Sequence, residues 1–161
     1  MSSPDLRLAD PTDAAAIADL CGELGYTATV AEVTERLQRL ATSPNDRCWV
    51  AESDGVVVGW LQAHAAEILE SGFRLEIAGL VVSKKARRSG VGRMLVVEAE
   101  RWATTLDASA VVVRSNVARE ESHHFYPALG YARTKTQHVY MKHLRSSSAK
   151  PAESLQSSST P

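Results

Sequence analysis

The sequence predicts one α/β or α+β domain built on a mixed central sheet of about seven strands, with helices on both faces. Three observations carry that prediction. Runs of alternating and of helical apolar periodicity succeed one another in the order β-α-α-β-β-β-α-β-α-β-β. Ser53-Asp54-Gly55 separates two strand-like runs as a hairpin turn. A basic glycine loop, Lys84-Lys85-Ala86-Arg87-Arg88-Ser89-Gly90-Val91-Gly92-Arg93, joins a strand-like run to a helix-like one. With 161 residues, 44% of them hydrophobic and 23% charged, the chain can bury one full core.

The elements follow in order. Leu6-Arg7-Leu8 alternates as a short strand. Asp10-Pro11-Thr12-Asp13 supplies capping residues and an early proline, and Ala14, Ile17, Ala18, Cys21 and Leu24 keep helical spacing until Gly25-Tyr26. Thr29 caps a second helix, with Glu32 at the capping-box position and Val30, Val33, Leu37 and Leu40 as its buried stripe. Ser43-Pro44-Asn45-Asp46 turns the chain into a strand from Cys48 to Glu52, which pairs with Val56 to His64. Glu70-Ser71-Gly72 turns it again into a long strand from Phe73 to Val82. After the basic loop, Val91, Met94, Leu95, Ala99, Trp102 and Ala103 share one helix face. Ala110 to Arg114 is a continuous apolar strand of the kind buried on both faces. Arg119 to Leu129 reads as a helix ended by Gly130, and Tyr131 to Lys135 and His138 to Leu144 as the last two strands. The domain therefore spans residues 1–144. Residues 145–161, Ser-rich and with Pro151 and Pro161, are expected to be a disordered tail.

Charge excludes some functions. A net charge of −1 gives no global field toward nucleic acid or a membrane surface, and no apolar run has spanning length. Basic charge is instead local: five of the 18 Lys and Arg lie in the loop, where random placement puts roughly one. Cys21 and Cys48 lack metal-type spacing, and adjacent His123 and His124 point about 100° apart on a helix, so no metal site is expected. Two buried thiols and no leader pattern make the cytoplasm the expected location.

The loop's chemistry is that of an anion site. A helix N-terminus carries partial positive charge and unsatisfied N–H groups, and glycines let an anion approach the backbone. Two such sites are ruled out by spelling. Gly92 is followed by Arg93-Met94 where a P-loop needs Lys-Ser/Thr, and Leu95 stands where a dinucleotide fingerprint needs a small residue. A capped helix with a solvated basic loop is the plainer alternative.

Arg87-Arg88-Ser89-Gly90-Val91-Gly92 matches Arg/Gln-x-x-Gly-x-Gly/Ala, the signature loop of the GNAT superfamily of acyl-CoA N-acyltransferases. The stretch from Asn116 through Phe125-Tyr126-Pro127-Ala128-Leu129-Gly130-Tyr131 resembles the superfamily's second hallmark, a helix bearing Phe-Tyr and closing in Leu-Gly-Phe/Tyr. The resemblance covers about residues 5 to 144 and implies acetyl-CoA as acyl donor. It implies that the diphosphate sits on the N–H groups from Arg88 through Ser89, Gly90, Val91, Gly92 and Arg93, with charge from Arg87, Arg88 and Arg93. Lys84 and Lys85 would face the ribose phosphate or simply be solvated. The pantetheine arm would run as an added strand along Leu80-Val81-Val82, with Asn116, Ser122 and Phe125 as further cofactor contacts. An Asx turn is the other use for Asn116.

The difficulty in acyl transfer from a thioester lies in the amine. Deprotonating a lysine-like amine of pKa ~10.4 at pH 7 costs about 4.6 kcal/mol. Glu76 is the candidate base. Strand alternation puts it on one face with Leu80 and Val82, where a carboxylate is out of place. Glu-Ile-x-x-Leu-x-Val from Glu76 to Val82 also resembles the family pattern in which this glutamate is the base, often through water. An ion pair with Arg74 or Arg7 is the alternative. The resemblance further implies a backbone N–H near Val82 for the oxyanion, and Tyr126 as proton donor to the departing thiolate. A core tyrosine is the alternative for Tyr126. Pro127 should bend the helix beside it.

The acceptor cleft implied by the resemblance offers Tyr26, Trp60, His64, Glu67 and His138, together with Gly25, Gln62, Glu70 and Tyr140. Acidic and aromatic groups suit a cationic amine of a small molecule or peptide. The expected function is acetyl transfer from acetyl-CoA to a primary amine by direct attack. A non-catalytic acyl-CoA-binding regulatory or sensor module is the alternative. An exposed final strand could support a homodimer.

Overall fold

In the hairpin turn, Asp54 and Gly55 have φ of 51° and 77°, the double left-handed conformation of a type I′ turn, so the Asp-Gly pair sets the register of the strands it joins. The computed structural model describes residues 3–144; the predicted tail, 145–161, lies outside the described residues. The strands are β1 (Asp5–Leu8), β2 (Asp46–Ser53), β3 (Val56–Ile68), β4 (Gly72–Val82) and β5 (Val111–Val113). They lie in the order β1-β2-β3-β4-β5, antiparallel up to β4, with β5 parallel to β4. The helices are α1 (Ala14–Glu23), α2 (Val30–Ala41), α3 (Val91–Thr105) and α4 (Glu120–Ala128). This is the mixed α/β arrangement that the periodicities predict.

Each helix covers the face that its apolar stripe selects. Leu95, Val96, Ala99 and Trp102 of α3 pack on Trp49, Leu61, Leu75 and Ile77. Ile17 of α1 with Val33 and Leu37 of α2 pack on Val50 from the other side. The Thr29–Glu32 capping box forms, each side chain accepting from the other residue's backbone N–H. The start of α1 is fixed by a buried charge: Arg7 donates to both oxygens of Asp13 at 2.8 Å and also pairs with Glu52 at 2.9 Å.

One irregularity changes the reading of β4. Gln62 pairs with Gly79 but Ala63 with Ile77, so Ala78 is an extra residue, a β-bulge. Glu76, opposite His64, then faces α1 and α2, whereas Leu80, opposite Leu61, faces α3. The expectation that Glu76 shares a face with Leu80 and Val82 is thus wrong: one inserted residue reverses the alternation.

Two further expectations fail. Residues 131–144 form no strand, so the described residues hold five strands rather than seven. A strand needs a partner edge for its backbone groups, and none of the described residues supplies one here. Val139, Tyr140, Met141 and Leu144 are 75–91% exposed as a result. The segment expected to be buried on both faces shrinks to Val111–Val113, each residue only half-buried, for the same lack of an outer neighbour.

Candidate active site

β4 and β5 pair only from Leu75 to Ile77 on β4. Past the bulge, β4 keeps β3 as its one partner strand, so the backbone of Ala78 to Val82 presents an open edge among the described residues. At the far end of that edge the basic loop begins. Ser83 accepts from the Lys85 N–H, Glu23 of α1 accepts from the Lys84 N–H at 2.9 Å, and Ser89 donates to the Ala86 carbonyl. Arg88 and Gly90 take φ of 63° and 85°, and the chain then enters α3 with no side-chain cap. The N–H groups of Val91, Gly92 and Arg93 have no intrahelical partner, and Arg87, Arg88 and Arg93 lie in the same stretch of chain. Open edge and uncapped helix start thus lie end to end, as a ligand with a hydrogen-bonding arm and an anionic head requires.

The glycines of the motif divide their work. Gly90 supplies the left-handed turn. A Cβ on Gly92 would stand 3.1 Å from Cζ of Phe125 and 3.6 Å from Cγ2 of Val82. Phe125, expected to touch a cofactor, packs half-buried against Gly92 and so seats α4 on the start of α3. Arg87 reaches Glu121 of α4 at 3.5 Å, and Ser122 lies half-buried in the first turn of α4. The side-chain oxygen of Asn116 accepts from the Ala118 N–H at 2.9 Å, which is the Asx turn, a bond that engages the oxygen and not the amide N–H donors.

Tyr126 sits half-buried on α4, edge-on to Phe125 and Tyr131. Burial pushes its hydroxyl up to about 12, with the charge of Arg119 opposing. It therefore holds its proton throughout the neutral range and can donate it. Pro127 falls in the last turn, where Leu129 and Gly130 close the helix on the Tyr126 and Pro127 carbonyls.

On the α1/α2 face five groups stand in a row across the sheet. Ser43 donates to Asp46 at 2.6 Å, and Asp46 pairs with Nδ1 of His64 at 2.9 Å. His64 lies opposite Glu76, and Glu76 is 3.3 Å from Nε of Arg114, just beyond β5. Glu76 does pair with an arginine, though with neither of the two expected: Arg7 holds Asp13 and Glu52, and Arg74 donates to Ser71. Trp60 lies on the same face, with its ring over Gly79, whose missing Cβ is what admits it. Its buried Nε1 has no partner among the described residues. Tyr26, from the α1–α2 connection, accepts from Nη2 of Arg119 at 3.2 Å, and that guanidinium lies 5.6 Å from the Tyr26 ring centre. Behind Tyr26 a cleft of about 520 Å³ is lined by Asp19, Thr27, Thr29 and Glu32.

The structure thus brings Tyr26, Trp60, His64 and Glu76 to one face and leaves two expected acceptor residues elsewhere. Glu67 is odd-numbered on β3, like Leu61, Ala63 and Ala65 of the α3 face, and lies near the hairpin end. His138 is exposed beside Tyr140, in the segment that forms no strand. Sequence reasoning missed Asp46, Arg114 and Arg119. Arg114 was readable only as the end of an apolar run and Arg119 only as a helix start. Among the described residues no group of three or more His, Cys, Asp and Glu could hold a metal ion, and no helix is long and apolar enough to cross a membrane.

Comparison with known proteins fits this geometry. The model of the acetyltransferase (GNAT) family matches residues 15–131. N-acetyltransferase family 8 members 3 and 7 of Mus musculus are each 30% identical over 114 residues, 69% of this chain and 50% of theirs. The chain thus spans about half the length of the curated relatives it matches. An aminoglycoside N-acetyltransferase AAC(6')-Iy in complex with CoA superposes with a TM-score of 0.79 at 19% identity, covering 89% of this chain and 97% of that one. A transcriptional regulator from Bacillus halodurans superposes with a TM-score of 0.78 at 20% identity, covering 88% and 100%. These two likenesses establish the fold alone.

Proposed function

The chain belongs to the GNAT acetyltransferase family, and from that premise we propose that it transfers an acetyl group from acetyl-CoA to a primary amine of a small molecule or peptide. The observation that carries this reading is the continuous path from the open β4 edge to the uncapped start of α3. The residues present fit the donor. The N–H groups of Val91, Gly92 and Arg93, with Arg87, Arg88 and Arg93, would hold its diphosphate, and Leu80 to Val82 its amide-bearing arm. Acetyl-CoA supplies an acyl group already activated as a thioester.

The chain's own task is proton handling. Glu76 Oε1 takes a proton from the incoming ammonium, directly or through water, and the Asp46–His64 pair flanks it. Tyr126 Oη, kept neutral by burial, gives a proton to the departing sulfur. The test is calorimetry with acetyl-CoA together with thiol release on an amine panel, for the wild type and Glu76→Gln. The variant should bind acetyl-CoA as the wild type does and lose about 10²–10⁴ in turnover. Unchanged turnover removes Glu76 from the mechanism, and absence of binding heat removes the donor reading.

A further inference from the structure

Beside its carboxylates, the acceptor side holds two guanidinium groups. Arg114 comes within 3.3 Å of Glu76 at Nε and has no second ion-pair partner among the described residues. The side chain is 60% exposed against 29% for Glu76, so the guanidinium fork opens outward over the carboxylate. Arg119 approaches the same face from the start of α4, held against Tyr26 by one hydrogen bond and the ring. Both lie in the segment that runs from the end of β5 into α4, and both point toward groups on the α1/α2 side.

We propose that Arg114, with Arg119 as a second cation on the same side, reads a carboxylate carried next to the reacting nitrogen, so that the acceptor is an α-amino acid or a derivative that keeps its free carboxylate. This rests on the acetyltransferase reading above and narrows its substrate class. A guanidinium fork binds a carboxylate in two parallel hydrogen bonds. An α-amino acid presents its ammonium one carbon away from that carboxylate. The Arg114–Glu76 pair offers the complementary order, cation beside anion, at a contact of 3.3 Å. The zwitterion lies head-to-tail along it, carboxylate on Arg114 and ammonium on Glu76. The ammonium gives one proton to Glu76, and from there to solvent. Its nitrogen bonds to the acyl carbon as the carbon–sulfur bond breaks, and the sulfur takes the proton of Tyr126. The amide forms with loss of the nitrogen's second proton to solvent, and Tyr126 recovers its own from solvent. A polyamine or an aminoglycoside meets repulsion from both arginines instead.

The experiment sets L-amino acids against their own decarboxylated amines and carboxamides, by thiol release, for the wild type, Arg114→Gln and Arg119→Gln, with acetyl-CoA binding by calorimetry as control. Wild type should favour the carboxylate-bearing member of each pair at least tenfold in kcat/KM. Arg114→Gln should raise KM for amino acids by about 10- to 100-fold, as loss of a charged hydrogen-bonding partner does, and lower it for the decarboxylated amines, which are relieved of a repelling charge. Arg119→Gln should act in the same direction and less strongly. A fall in kcat for both classes in Arg114→Gln would make Arg114 only a positioning residue for Glu76 and overturn the proposal. So would equal or better turnover of the decarboxylated amines by wild type. In either of those cases thiol release and acetyl-CoA binding persist and the parent reading stands. If no amine releases thiol and acetyl-CoA gives no heat, both readings are overturned.

Discussion

Replacing Gly79 by Ala tests the geometry of the acceptor face directly. The new methyl group would lie 2.8 Å from both Cη2 and Cζ3 of Trp60. Carbon atoms in good contact sit about 3.5 Å apart or more, so ring or strand must give by about 0.7 Å. The ring cannot simply swing away, because Trp60 packs into the α1/α2 cluster with Ile17, Val33 and Val50. Gly79 is not among the glycines of positive φ, so contact and not backbone strain sets the cost. Overpacking of this kind costs about 1–3 kcal/mol. For a chain of this length that lowers Tm by roughly 2–12 °C. The assay is urea unfolding followed by circular dichroism, on Gly79→Ala, Trp60→Phe and the double variant. Trp60→Phe removes the two clashing atoms, so the Gly79→Ala penalty should shrink by about 1 kcal/mol or more in that background. A Gly79→Ala effect within about 0.5 kcal/mol, or one that is the same in both backgrounds, would refute the reasoning.

Two other outcomes follow from the charges and the buried phenol. Tyr126→Phe should lower kcat by about 10²–10⁴ with little change in acetyl-CoA affinity. In the wild type, the alkaline fall in kcat due to this group should begin only above about pH 10, because burial holds its proton up to about 12; stopped-flow pH profiles of the two proteins check both points. Arg7→Met should cost about 1–3 kcal/mol at neutral pH, less than for a fully buried pair because Arg7 is 40% exposed. The Arg7 hydrogen bond holds the Asp13 carboxyl below the usual aspartate range, so this stabilisation is complete above about pH 4 and is lost as pH falls through the lower folded-state value. Urea midpoints of wild type and variant should therefore converge in acid, and a gap that widens there would contradict the assignment.

How far the sequence reaches depends on how local each cause is. Asp54-Gly55, the Thr29–Glu32 box and the left-handed Gly90 are set by a few neighbouring residues, and all three form as their chemistry dictates. The extra residue at Ala78 has no such mark, since Ile77-Ala78-Gly79 reads equally well as regular strand. Its effect is nevertheless large, because it moves Glu76 to the opposite face from Leu80. The pairing of Glu76 with Arg114 follows from that bulge and from the parallel placement of β5, both non-local. The alternation from His138 to Leu144 shows the converse: local propensity without a partner edge leaves Val139 and Tyr140 in solvent.

The bulge also explains how one strand can serve two substrates. Before it, Glu76 faces α1 and α2 beside His64 and Arg114, where the proposed acceptor would enter. After it, Leu80 and Val82 anchor the strand on α3, while the backbone edge between Ala78 and Val82 turns away from β5 and stays open for the donor. In a regular strand Glu76 would share the face of Leu80, in the apolar layer under α3, and no usable base would result. The single inserted residue therefore sets a partly solvated carboxylate next to the backbone edge that opens where β5 ends, and the proposed chemistry depends on both being there.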